Sequence, residues 1–190
     1  MEALFGNAGV AKQLAEEALA LSKGRDVQKM AAVALAFAGA GEETRTVADG
    51  LAKNYARDTL ARFVFLPIIH AQVALTRKDS GKALEALRIT QPYELTFGLY
   101  PLYVHGEAYL AASQGREAAA DFQKLLKHRG AVGSEPVGAL AHLGLARAYR
   151  LQGERARAIA AYKEFLTLWK DADPDIPILQ QAKAECAKLQ

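Results

Sequence analysis

Five positions recur in the same order along this chain, and that recurrence restricts the fold more than any local signal does. From Ala146, Tyr149 follows at +3, Ala158 at +12, Tyr162 at +16 and Phe165 at +19. From Gly106 the same offsets give Tyr109, Ala118, Phe122 and Leu125, and from Ala71 they give Ala74, Ala83, Leu87 and Thr90. A weaker copy starts at Ala36, with Gly39, Ala48, Ala52 and Tyr55. The starting points lie 35, 35 and 40 residues apart, and the five extra residues fit the glycine- and proline-containing connector Arg129 to Gly138. A small residue on one helix and an alanine on the next let two backbones approach, while the large side chain four positions later fills the space between pairs. The expected architecture is a stack of helix pairs, each too thin to bury its own apolar face.

The rest of the sequence agrees with an all-α chain. Alanine supplies about a fifth of its 190 residues and aromatic residues only 8%, so strong helix formers dominate. Apolar residues recur at helical spacing over ten segments: Ala8 to Ser22, Asp26 to Ala38, Glu42 to Tyr55, Thr59 to Thr76, Gly81 to Arg88, Leu99 to Ser113, Arg116 to Lys127, Pro136 to Gln152, Arg155 to Trp169 and Ile176 to Leu189. Pro67 lies inside the fourth, where the missing amide and the ring predict a kink or a late start. One cysteine, Cys186, excludes an internal disulfide. Twenty-four Lys and Arg against 21 Asp and Glu leave only +3, spread evenly, which argues against a nucleic-acid partner. The longest apolar stretches fall short of the roughly 20 residues that cross a bilayer, so no membrane insertion is expected of this segment.

The small, aromatic, alanine, aromatic order resembles the tetratricopeptide repeat (TPR). The likeness spans about residues 32–172 and is strongest in the last copy, LARAYRLQGERARAIAAYKEFL. It implies a right-handed α-solenoid of about four TPR-like helical hairpins over 25–57, 58–97, 98–135 and 136–172. An incomplete repeat at 1–24 and a capping helix at 174–190 would complete one domain, 1–190. A narrower likeness is carried by GALAHLGLARAYRLQG from Gly138, by FLTLWKDADPDIPILQQAKAECAKLQ, by PYEL at Pro92 to Leu95 and by GEAYLAA at Gly106 to Ala112. These stretches resemble the C-terminal helical-repeat region of bacterial, acidobacterial-type, eukaryotic-like serine/threonine protein kinases. The chain would then be a C-terminal piece, and Cys186 stands where that family would place an aromatic residue.

No residue carries recognisable catalysis. The glycine-rich loop, strand lysine, catalytic aspartate and metal-binding aspartate of a kinase are absent from their required contexts. Gly39-Ala40-Gly41 lacks the third glycine of a dinucleotide fingerprint and reads as a turn between helices. Asp171, Asp173 and Asp175 open like a calcium loop, but Ile176 and Ala182 occupy its glycine and bidentate glutamate positions; Asp175 is expected to cap the last helix instead. His70, His105, His128 and His142 make no i, i+4 zinc pair. His70 and His105 sit at equivalent repeat positions and are expected to pack, and Cys186 is expected to be a buried hydrophobe. No metal or cofactor is expected.

By the TPR likeness, the first helix of each pair lines a concave groove. Its inward positions, at −6, −3, +1 and +4 from each starting residue, are Phe65, Ile68, Gln72 and Leu75, then Tyr100, Tyr103, Glu107 and Leu110, then Leu140, Leu143, Arg147 and Arg150. Aromatic residues supply contact area and arginines orient a carboxylate, so the expected occupant is a peptide or protein partner with an acidic flank. The expected function is a non-catalytic interaction or scaffold module of a signalling kinase, and the alternative is a ligand-sensing helical domain that regulates a linked kinase. Self-association is a further alternative. The expected location is soluble and cytoplasmic, the alternative being an extracytoplasmic part of a membrane-anchored parent.

Overall fold

The computed structural model describes residues 1–189 and is all-helical, with no strand among them. Two compact units are distinguished, Met1–Tyr93 and Glu94–Gln190, and the boundary falls inside the 58–97 segment. The first unit holds α1 (Glu2–Phe5), α2 (Ala8–Leu21), α3 (Arg25–Phe37), α4 (Gly41–Asn54), α5 (Leu66–Thr76) and α6 (Ser80–Leu87), closed by a 3-10 turn at Arg88–Tyr93. The second holds α7 (Tyr100–Ala111), α8 (Gly115–Lys127), α9 (Val137–Leu151), α10 (Arg155–Leu168) and α11 (Pro177–Ala187). The ends of α2 to α4 and of α6 to α11 fall within two residues of the positions expected from periodicity.

Pro67 has the consequence that its chemistry predicts. It sits in the first turn of α5, where its lack of an N–H costs nothing, and the residues before it, Ala61–Phe65, widen into a π-helical turn. Asp58 caps this segment by accepting a 2.7 Å hydrogen bond from the Ala61 amide.

The repeat positions form the cores. In the second unit Ala118, Phe122, Leu125, Ala146, Ala158, Tyr162 and Phe165 have no accessible surface. Phe122 explains the small residues on the first helices. A Cβ on Gly106 of α7 would lie 2.7 Å from the Phe122 ring, and one on Gly144 of α9 would lie 2.4 Å from it. The ring is therefore clasped between α7 and α9, which also touch each other. Such complete burial of one large apolar side chain contributes about 1.5–3 kcal/mol. In the first unit α3 likewise touches α5, and Ala71, Ala83 and Leu87 are buried at their expected places. Thr90 stands in the fifth and satisfies its hydroxyl by donating to the Leu87 carbonyl at 2.8 Å.

One register differs from expectation. Four helices end in the same left-handed cap, at Gly39, Lys78, Ser113 and Gly153, with φ between 58 and 75°. In each the following amide bonds back five residues, from Ala40 to Leu35, Asp79 to Ala74, Gln114 to Tyr109 and Glu154 to Tyr149, at 2.9–3.0 Å. The last three caps lie seven residues after Ala71, Gly106 and Ala146. By that rule the first copy starts at Ala32 rather than Ala36. Its remaining positions are then Leu35, Thr44, Ala48 and Leu51, all buried, whereas Ala52 is exposed and Tyr55 half-buried. A one-turn slip turns the apolar stripe by only about 40°, so the hydrophobic pattern alone hardly registers it.

Candidate functional site

In the second unit, equivalent positions of successive first helices place Glu107 on α7 and Arg147 on α9, each one residue after its small anchor. Both residues are partly buried. Arg147 is engaged from a third helix. Its Nε and Nη2 donate to Oε2 and Oε1 of Glu185 on α11, at 3.0 Å each. The Tyr162 hydroxyl of α10 donates to the same Oε2 at 2.7 Å. Glu185 lies 38 residues after Arg147, so three consecutive first-helix positions read carboxylate, guanidinium, carboxylate.

The electrostatics follow from that order. Burial opposes ionisation of Glu185, but the hydrogen bonds and charge of Arg147, the Tyr162 hydroxyl and the charge of Arg150 outweigh it, so its pKa falls below the usual carboxylate value. Glu107 is displaced the other way. Burial raises its pKa, the Glu185 charge reinforces the rise, and Arg147, already committed to Glu185, offsets it only in part. Burial also raises Tyr103 and Tyr162, which therefore remain phenols.

The expected groove residues divide into two kinds. Phe65, Ile68, Tyr100 and Tyr103 are core residues with at most 8% of their surface accessible, not the open floor of a trough. Phe65 carries the Lys29 ammonium 5.1 Å from its ring centre, and Tyr103 meets the Phe122 ring edge-on at 6.2 Å. The Tyr100 hydroxyl donates to Glu135 at 3.0 Å. Gln72 is partly buried, and its Oε1 accepts no hydrogen bond among the described residues. Arg147 is paired rather than free. Only Arg150 is exposed, and it forms no ion pair among the described residues; Leu110, four positions after Gly106, is partly accessible at the equivalent position.

Other expectations meet mixed outcomes. Cys186 is buried as a hydrophobe. His105 lies within the packing, its Nδ1 2.9 Å from Asp121, but His70 is exposed at the equivalent position. Asp175 does not cap α11: the cap residue is Ile176, with no side-chain hydrogen bond, and all three aspartates of the connector are exposed. Among the described residues no group of three or more His, Cys, Asp or Glu side chains is placed to hold a metal ion, and no helix is long and apolar enough to cross a membrane. Glu185 is legible in the sequence through its repeat spacing from Arg147. Comparison with protein-family models, with curated proteins and with solved structures returns no match.

Proposed function

We propose that this chain is a non-catalytic protein-interaction module, a right-handed stack of TPR-like helix pairs from the C-terminal region of a signalling serine/threonine kinase. The kinase context rests on the sequence resemblance alone. The interaction reading rests on one observation, the contact between α7 and α9 around Phe122, which lines up equivalent residues on neighbouring helices. Glu107 and Arg147 form one row; Leu110 and Arg150 form the next, nearer solvent. The first row is filled by the chain's own Glu185, which models what the face accepts: a carboxylate presented from a helix. The partner is accordingly a peptide or protein that brings an acidic group to Arg150 and an apolar contact to Leu110. Phe65, Ile68, Tyr100 and Tyr103 support the helices from beneath instead of touching the partner.

The test is affinity capture with the parent chain and with Arg150→Glu and Leu110→Gln. Both variants are expected to lose the same captured proteins while remaining folded with a Tm close to the parent's, because neither position is buried. Recovery of an unchanged set of proteins by both variants would overturn the reading. Light scattering on the eluting species separates self-association from a foreign partner.

A further inference from the structure

The first unit contains an open surface depression of about 760 Å³ between the start of α3, the end of α4 and the connector that follows, lined by Arg25, Asp26 and residues 53–58. Its floor is a closed set of charges. Lys29, 4% accessible, lies with its Nζ 3.1 Å from Asp26 Oδ1 and 3.6 Å from Asp58 Oδ2. Arg25 reaches the same two carboxylates, at 3.2 Å through Nε and 2.9 Å through Nη1. The remaining Asp58 oxygen is taken by the Ala61 amide at the head of the π-helical turn. Two cations thus neutralise two anions.

The rim is not neutralised. Lys53 and Arg57 line the depression, and among the described residues neither has a carboxylate within ion-pair distance. Two residues whose positive charges are not ion-paired therefore border the same space, together with Asn54 and Tyr55. Their backbone is held from both sides: the Tyr55 amide closes on Leu51 and the Asp58 amide on Tyr55, each at 2.9 Å, and Asp58 is fixed by the buried pair below. A guanidinium offers a two-pronged donor and an ammonium a compact charge, a combination suited to a tetrahedral dianion with several acceptor oxygens.

We propose that this depression binds a phosphate group carried by a small molecule, with Arg57 and Lys53 as its ligands and the Arg25, Asp26, Lys29 and Asp58 cluster as the rigid base. All these residues lie in Met1–Tyr93, so the assignment stands independently of the partner-binding reading.

The experiment is a titration of the full chain with O-phosphoserine, inorganic phosphate and succinate, each against sodium chloride at equal ionic strength and pH 7.5, read from backbone amide chemical shifts. Saturable shifts confined to Arg25, Asp26 and residues 53–58 are expected with both phosphates. A tenfold or greater loss of affinity is expected in Lys53→Gln/Arg57→Gln, whose Tm should match the parent because both side chains are exposed. Tighter binding of O-phosphoserine than of inorganic phosphate would assign Asn54 and Tyr55 to the carrier; equal binding would assign recognition to the phosphate alone. Shifts that grow without saturating, or that sodium chloride or succinate reproduces equally, overturn the proposal, as does unchanged affinity in the double variant.

Discussion

Arg147 and Glu185 face each other through two parallel hydrogen bonds of 3.0 Å, with 18% and 19% of their side chains accessible. The pair joins α9 to α11, and the Tyr162 hydroxyl completes it from α10. An arginine placed by its spacing in a binding groove is thus held as a structural tie, with the last helix as its occupant.

Charge reversal at this tie is expected to destabilise the second unit. Arg147→Glu would set a third carboxylate beside Glu107 and Glu185, with only the more distant Arg150 charge to offset it. Truncating one member of a buried pair costs about 3–5 kcal/mol, and the residual solvent access here lowers that to about 2–3 kcal/mol. Urea unfolding followed by a second-unit probe such as Trp169 fluorescence checks it. Arg150→Glu, which breaks no ion pair, should shift the midpoint far less.

Glu107 gives the same cluster a pH dependence of opposite sign to that of Glu185. Its folded pKa lies above the unfolded value near 4.5, so the folded state holds its proton more tightly. Its contribution is fully present below the unfolded pKa and is lost as pH rises through the folded one. Glu185, with a lowered folded pKa, contributes above its unfolded value and loses that as pH falls through the folded one. Between pH 3 and 7, Glu107→Gln should therefore gain stability over the parent as pH rises above 4.5, whereas Glu185→Gln should lose it as pH rises towards 4.5 and keep a constant deficit above that. Thermal unfolding of the two variants across that window reads both slopes.

Helix ends were legible because alanine-rich stretches and short breakers mark them locally, and the buried repeat positions were legible because a clash or a void there is intolerable. What faces the groove was not. Phe65, Ile68, Tyr100 and Tyr103 carry side chains that would serve equally as a floor or as a core, and only the neighbouring helices decide which. The Ala36 register failed for a related reason: around it Ala31, Ala32, Ala34, Ala36 and Ala38 offer several small residues one turn apart, and the cap at Gly39 is what selects Ala32. The buried Lys29 cluster was only half legible: Asp26 meets Lys29 at the i,i+3 spacing of one helix, whereas Asp58 reaches it from a connector with no fixed spacing.

The recurrent left-handed cap supplies a stabilising substitution. Two of its four residues, Lys78 and Ser113, are not glycine and hold φ of 60 and 58°. Both side chains are exposed, so little packing is lost on removing them. Relief of the Cβ clash, about 1–2 kcal/mol, exceeds the extra chain entropy of glycine, about 0.5–1 kcal/mol. Ser113→Gly and Lys78→Gly should each raise stability by up to about 1 kcal/mol in equilibrium unfolding, as Gly39 and Gly153 already do at the equivalent turns.

Phe122 tests the stacking itself. Gly106→Ala and Gly144→Ala each drive a methyl group into the ring, at 2.7 and 2.4 Å, distances that no rotamer of a fully buried phenylalanine relieves without shifting a helix. Overpacking of this kind costs about 1–3 kcal/mol, with Gly144→Ala the worse of the two because its approach is closer. Phe122→Leu alone should also destabilise, by leaving a void between α7 and α9. Combined with Gly144→Ala, the smaller leucine makes room for the new methyl, so the double variant should be more stable than the sum of the single losses by at least about 1 kcal/mol. Urea unfolding of the four proteins in the cycle measures that coupling. Strict additivity would mean that the ring and the glycine do not define the spacing of the two helices.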